Sequence, residues 1–151
     1  SSHLDNARFY HASGPQCRFD HASLVDARMD DCSLAGASFI AVQAPGSVWE
    51  RAALKGSVFQ RADVQRANFG TALLQGAQFN TADGRGASFR KASLQDASML
   101  KANLMHACFE AADLRGADLR GANLFQAETW RANLQGIRLD LAILAGSKLA
   151  T

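Results

Sequence analysis

Ala112-Asp113-Leu114-Arg115-Gly116-Ala117-Asp118-Leu119-Arg120-Gly121-Ala122-Asn123-Leu124 is one five-residue phrase written almost three times over. A small residue comes first, a short polar one second and leucine third, with glycine closing the unit. Taking the leucine as a centre and stepping by five in both directions gives Leu4, Phe9, Gly14, Phe19 and so on to Leu149. Of these 30 centres 14 are Leu and 8 are Phe, and Met29, Met99, Val64 and Trp49 raise the large apolar total to 26. Two residues before the centre, 22 of 30 positions are Ala; Ser2, Cys17, Cys32, Ser47, Ser57 and Ser147 are also small, and only Val42 and Ile137 are larger. The register does not slip between Ser2 and Thr151.

A helix needs apolar residues every 3.6 positions and a strand needs alternation, so a period of five fits neither as a long element. It fits a coil that turns a corner after each short extended piece. Along such a piece the centre and the residue two before it point the same way. One is large and one is small, so both can face a narrow axis. Nine of the twelve glycines fall two residues after a centre, where a type II turn needs a positive φ. Pro15 and Pro45 fall one residue after a centre, where the same turn wants φ near −65°. Pro45-Gly46 is therefore a complete type II signature in phase with the repeat.

The quoted units resemble the A-(D/N)-L-x-x repeat of the pentapeptide-repeat family, and the resemblance runs along essentially the whole chain. It implies an all-β fold, a right-handed quadrilateral β-helix with 20 residues to a coil. For residues 2–151 that gives about 7.5 coils in a single repeat domain, which the reading allows to be a part excised from a longer protein. At roughly 4.8 Å per coil the rod would be about 36 Å long.

Twenty residues per coil sort the centres into four walls. Wall 1 starts at Leu4, wall 2 at Phe9, wall 3 at Gly14 and wall 4 at Phe19. Aromatic residues gather on walls 2 and 4 and aliphatic ones on walls 1 and 3, a ten-residue superperiod that supports four sides independently of the family. The expected core is Leu34, Phe39, Trp49, Leu54, Phe59, Phe69, Leu74, Phe79, Phe89, Leu94, Leu104, Phe109, Leu114 and Leu119. Ala44 and Gly84 leave room on wall 1 that the next centres along the chain, Trp49 and Phe89, are expected to fill.

Residues that could carry chemistry read better as structure. His3, His11, His21 and His106 fall on different corners or heights, whereas a metal site needs three or four converging ligands. Cys17 and Cys32 take the small inward position and are expected to pack like alanine, with Cys108 more exposed. Three cysteines and no CxxC pair argue against a disulfide framework and favour a reducing, cytoplasmic compartment. Asp63, Asn68, Asp83, Asn103, Asp113, Asp118, Asn123 and Asn133 precede centres and are expected to bond turn or neighbouring-coil backbone. With no register break there is no loop to fold over a substrate. The chain is read as a non-enzyme with no cofactor, no metal and no apolar run of the about 18 residues a membrane span needs.

Net charge is +2, with 16 Lys and Arg against 14 Asp and Glu. Residues 1–50 hold three basic and six acidic residues (−3), residues 51–101 eight and three (+5), and the rest five of each. The basic zone spreads over all four corners, which disfavours nucleic acid, whose binding wants a stripe. Outward apolar residues are more telling. Met105, Phe125, Trp130, Leu141 and Ile143 form a candidate interaction patch.

The expected function is a non-catalytic protein–protein interaction or scaffolding module. The partner would be another protein, a second copy, or a neighbouring domain docked on the C-terminal coils. The resemblance also admits the repeat domain of a larger bacterial effector or secretion-associated protein, and with it a secreted location. The alternative it brings is mimicry of duplex DNA to bind type II topoisomerases, as in quinolone-resistance proteins. That mechanism needs a strongly negative surface, which this chain lacks.

Overall fold

The computed structural model describes residues 2–149; Ala150 and Thr151, the last two of the expected domain, lie outside the described residues. The backbone winds in coils of 20 residues. Each residue just before a centre, from His3 to Asn123, forms a parallel bridge to the residue 20 further on. The contact is one residue wide on each wall because a corner intervenes every five residues, so the walls are ladders of single bridges rather than long strands.

Each corner is closed by a hydrogen bond from the small residue back to the preceding centre, as in Ala62 N–H to Phe59 O at 3.1 Å. The third residue of every turn from Asn6 to Gly146 has a positive φ, between 52° and 71°. That is the type II geometry expected from Pro45-Gly46. Glycine fills only nine of these corners and the other 20 hold L-residues, so stacking of the coils, not glycine, imposes the left-handed conformation. Each non-glycine corner costs about 1–2 kcal/mol of backbone strain.

Replacing Gly116 with alanine should therefore destabilise the rod by about 1–2 kcal/mol. Its φ is +69°, and an added Cβ would also run into the Asp96 carboxylate. Ala111→Gly, at φ +56°, should stay within about 0.5 kcal/mol of neutral, since relief of strain offsets the added freedom of the unfolded chain. Urea midpoints of the two variants check the contrast.

In coils with a described neighbour on both sides, four of every five backbone N–H groups find backbone acceptors. Around Phe59, the N–H groups of Phe59 and Arg61 reach Gln78 O and Asn80 O on the next coil, at 2.7 and 3.0 Å. Asp63 N–H reaches Val42 O on the previous coil at 2.9 Å. The N–H of the residue after the centre is left over, and at ten of these positions an Asp or Asn side chain takes it up.

The axis is filled by side chains. Phe39, Trp49, Leu54, Phe59, Phe69, Leu74, Phe89, Leu94 and Phe109 are fully buried, and Leu34, Phe79, Leu104, Leu114 and Leu119 are within 2% of it. Phe19, Phe39, Phe59 and Phe79 stack in parallel up wall 4 at 5.1, 4.6 and 4.8 Å. Trp49, Phe69, Phe89 and Phe109 stack up wall 2 at 5.8, 5.1 and 5.1 Å. The two stacks meet edge-to-face across the axis, as Phe59 and Phe69 do at 5.5 Å and 85°, an arrangement that suits the ring quadrupoles.

Two expectations about packing need correction. The space at Gly84 is taken by Leu104, whose Cδ2 would lie 3.0 Å from an added Cβ. The residue one coil away on the same wall fills it, rather than the next centre, Phe89. Cys17 is exposed and does not pack like alanine, whereas Cys32 is buried. Cys17 sits in the first coil, where no described coil stacks below it.

Candidate interaction surface

Three outward columns run up each wall: the corner residue before the wall, the residue before the centre, and the residue after it. On wall 1 the C-terminal coils place Leu141, Ile143, Met105 and Phe125 on one surface. Trp130 belongs to wall 2, round the next corner, so the five patch residues divide between two adjoining walls. Leu141, Ile143 and Trp130 are 93%, 52% and 51% exposed. Met105 and Phe125 are only half-buried rather than fully outward. His106 packs edge-on against the Phe125 ring at 6.0 Å, and the Arg131 guanidinium lies 4.1 Å from the centre of the Trp130 ring, a cation–π contact.

Tyr10 and Leu73 are each 45% exposed and were not singled out from sequence. Both occupy outward phases, so the reading that found Ile143 could have found them. Tyr10 lies under Arg28 at 5.7 Å. Leu73 stands alone on wall 3, between Ala53 and Ser93.

The polar side chains before the centres hold the corners. Asp63, Asn68, Asp83, Asp113, Asp118, Asn123 and Asn133 each accept the left-over N–H two residues on, at 2.8–3.3 Å. A second solution uses the coil before: Asp20 accepts from Ile40 N–H and the Ser38 hydroxyl, and Asn80 from Leu100 N–H and the Ser98 hydroxyl. Asn103 follows neither pattern, and its Oδ1 is buried without a hydrogen bond.

Asp83, Asp113 and Asp118 also bind Arg85, Arg115 and Arg120 through two guanidinium nitrogens each. Hydrogen bonding from Arg115 and Arg120 holds the Asp113 and Asp118 carboxyls below the ordinary carboxylate range, against the opposing effect of desolvation. The folded state thus holds these protons less tightly than the unfolded chain. Their contribution to stability is complete above the unfolded value of about 3.9 and is lost as the pH falls through the lowered folded value. Thermal melts should show the midpoint dropping below about pH 4, and less steeply in Asp113→Asn/Asp118→Asn, which removes both titrating groups.

Three of the eight basic residues of residues 51–101 are neutralised on the spot: Arg51 by Asp31 and Glu50, Arg85 by Asp83, and Arg90 by Glu110. Lys55, Arg61, Arg66, Lys91 and Lys101 make no ion pair among the described residues, and they are spread over walls 1, 2 and 3. His3, His11, His21 and His106 are exposed, and among the described residues no three His, Cys, Asp or Glu converge as metal ligands would. Among the described residues no helix is long and apolar enough to cross a membrane. Burial pushes the Cys32 thiol up, which makes it a poor nucleophile.

The exterior carries shallow notches rather than an enclosed cavity. One of about 610 Å3 opens at Gly70 beside Glu50, Arg90 and Lys91. Another of about 340 Å3 opens at Gly121 between Leu100, Lys101 and Leu141. A third of about 400 Å3 lies against Trp130, Glu110 and Glu128. Each remains open to solvent along the rod, a shape suited to a partner's side chains more than to an engulfed small molecule.

Comparison with known proteins places this architecture. No curated protein sequence matches the chain. Among solved structures, a trypsin-treated form of QnrB1, a plasmid-mediated fluoroquinolone resistance protein, superposes with a TM-score of 0.55. It covers 93% of this chain and 83% of its own at 16% identity, a likeness of fold alone. The pentapeptide repeat protein alr5209 from Nostoc is 40% identical over 51% of this chain and 64% of its own, with a TM-score of 0.50. The family model for pentapeptide repeats matches residues 2–39, 32–70, 65–99, 85–121 and 102–139. Proteins of that kind fold as right-handed quadrilateral β-helices, the winding described above. With its 20-residue coils, its left-handed corners and matched segments that run from residue 2 to residue 139, this chain belongs to the pentapeptide-repeat family.

Proposed function

We propose that this chain is a non-catalytic interaction module that binds another protein through the C-terminal coils of wall 1 and the adjoining part of wall 2. The observation that carries this reading is the concentration of exposed apolar side chains there, Trp130, Leu141 and Ile143, on a rod whose interior is already filled. Exposed apolar area of this kind is retained where it becomes covered by a partner. Met105 and Phe125 would form the less accessible floor of the contact. The reading extends to the repeat domain of a larger bacterial effector or secretion-associated protein, whose neighbouring domain would dock on the same wall, and a homodimer would use it too.

DNA mimicry is the weaker reading. It needs dense negative charge, and residues 51–101 carry eight basic against three acidic residues. A supercoiling assay with a type II topoisomerase should show neither protection nor inhibition.

Affinity capture from a lysate of the source organism, followed by mass spectrometry, tests the main reading. Phe125→Asp should reduce the captured partner at least about tenfold, as expected when an interface anchor is replaced by a charge. Trp130→Ala should reduce it less. Capture that is unchanged in both variants would exclude this surface. Light scattering on the purified chain separates self-association from binding to a second protein.

A further inference from the structure

Leu141 is out of place among the corners. Its φ is +62°, a conformation that strains a branched L-residue, and it is 93% exposed. The other 28 described corners hold Gly, Ala, or polar and charged residues. Part of this exposure belongs to the last described coil, whose residues are more open than their mid-rod counterparts, and part to the corner itself, since the mid-rod corners Arg61, Arg66, Lys91 and Lys101 are exposed as well. Two costs thus fall on one side chain, and no contact within the described rod offsets them.

What surrounds Leu141 indicates what would. One coil back on the same corner is Gly121, without a side chain, and one coil further back is Lys101. The adjoining column holds Leu100, Arg120 and Asp140, and together these six residues line the notch of about 340 Å3. The Lys101 stem leans over the glycine, its Cγ 3.2 Å from where a Cβ would stand. Arg120 is held by Asp118 at 2.7 Å, whereas Lys101 has no ion pair among the described residues. Ile143 continues the apolar surface onto wall 1.

We propose that this notch docks an extended segment of a partner protein in which an aliphatic side chain is followed, two or three residues on, by a carboxylate. The inference rests on the protein-binding reading above and names the partner's chemistry. The aliphatic group packs against Leu100, Leu141 and the Lys101 stem that leans over Gly121, and the carboxylate meets the Lys101 ammonium. Lys101 and Leu141 are two coils apart, about 9.6 Å along the axis; residues three apart in an extended chain span that distance directly, and residues two apart, about 6.8 Å, span it with the reach of the lysine side chain. Asp140 at the opposite edge repels a carboxylate there and so fixes the direction of the segment.

The test uses the whole chain and three fluorescein-labelled peptides: Gly-Ser-Leu-Gly-Glu-Ser-Gly, the same peptide with Lys for Glu, and the same with Ser for Leu. Fluorescence anisotropy should give saturable, weak binding for the first, at least about fivefold tighter than for either control. Lys101→Glu should weaken it about fivefold and reverse the preference between the Glu and Lys peptides. Leu141→Ser should weaken it about tenfold, the effect of losing one buried leucine contact. Both side chains are exposed, and unchanged thermal melts will show that the variants fold. No saturable binding of the first peptide, equal binding of all three, or indifference to Lys101→Glu overturns the proposal. If Phe125→Asp still abolishes partner capture in that event, the protein-binding reading stands and only the partner's chemistry falls.

Discussion

Phe59→Ala will destabilise the rod by about 3–5 kcal/mol, near the upper limit for a single core truncation. Phe59 is fully buried and touches four rings. It stacks on Phe39 and Phe79 at 4.6 and 4.8 Å and meets Trp49 and Phe69 edge-on at 5.4 and 5.5 Å. The corner residues around it are fixed by inter-coil hydrogen bonds, so the walls cannot close on the void and most of the cavity penalty persists. A solenoid is held by contacts between neighbouring coils, so a gap at its middle weakens the coupling between the two halves. Guanidinium unfolding followed by circular dichroism should therefore show a lowered midpoint and a broadened or two-step transition. Phe9→Ala, at a half-buried ring in the first coil, should cost only about 1 kcal/mol and leave the transition sharp. Equal losses at the two positions would contradict this account of the core.

The second large effect concerns a polar group in that core with a dedicated partner. Trp49 is fully buried, and its Nε1–H donates to Ser47 Oγ at 2.7 Å. The Ser47 hydroxyl in turn donates to Ala44 O at 2.6 Å. Ser47→Ala restores the commonest residue at that phase, yet it should destabilise by about 1–3 kcal/mol, because it strands an indole N–H away from water. Adding Trp49→Phe removes the stranded donor, so the double variant should recover part of the loss, and the cycle measures the coupling. Ser57 has the same phase and burial but no partner for its hydroxyl, so Ser57→Ala should be neutral or stabilising by up to about 1 kcal/mol. If Ser47→Ala and Ser57→Ala behave alike, the Ser47–Trp49 bond contributes nothing.

The contrast between those serines marks how far the sequence could be read. Both lie two residues before a centre, and the period alone gives them one address. Ser47 acquires a role because its own centre is Trp49, while the centre after Ser57 is Phe59, which offers no N–H. The interaction surface divides the same way. Leu141, Ile143 and Trp130 follow from phase, since an outward column stays outward. Met105 and Phe125 share the outward phase and are nonetheless half-buried, with His106 against the Phe125 ring. Tyr10 and Leu73 passed unnoticed because a single exposed ring or leucine makes no cluster in the sequence.

The spacing of Ala, Leu, Phe, Gly and Pro determined by itself which side chains enter the axis and where the corners fall. Each of those is a local property, repeated every five residues and enforced by burial at every step. Tertiary structure alone decided the rest. It set the left-handed φ of 20 non-glycine corners, the filling of the Gly84 space by Leu104, the exposure of Cys17 and the pairing of the left-over N–H groups. The reason is that in a coiled ladder each residue's closest non-local neighbour lies 20 positions away. The phase of a residue is written beside it in the chain, but the side chain it meets is written one coil further on.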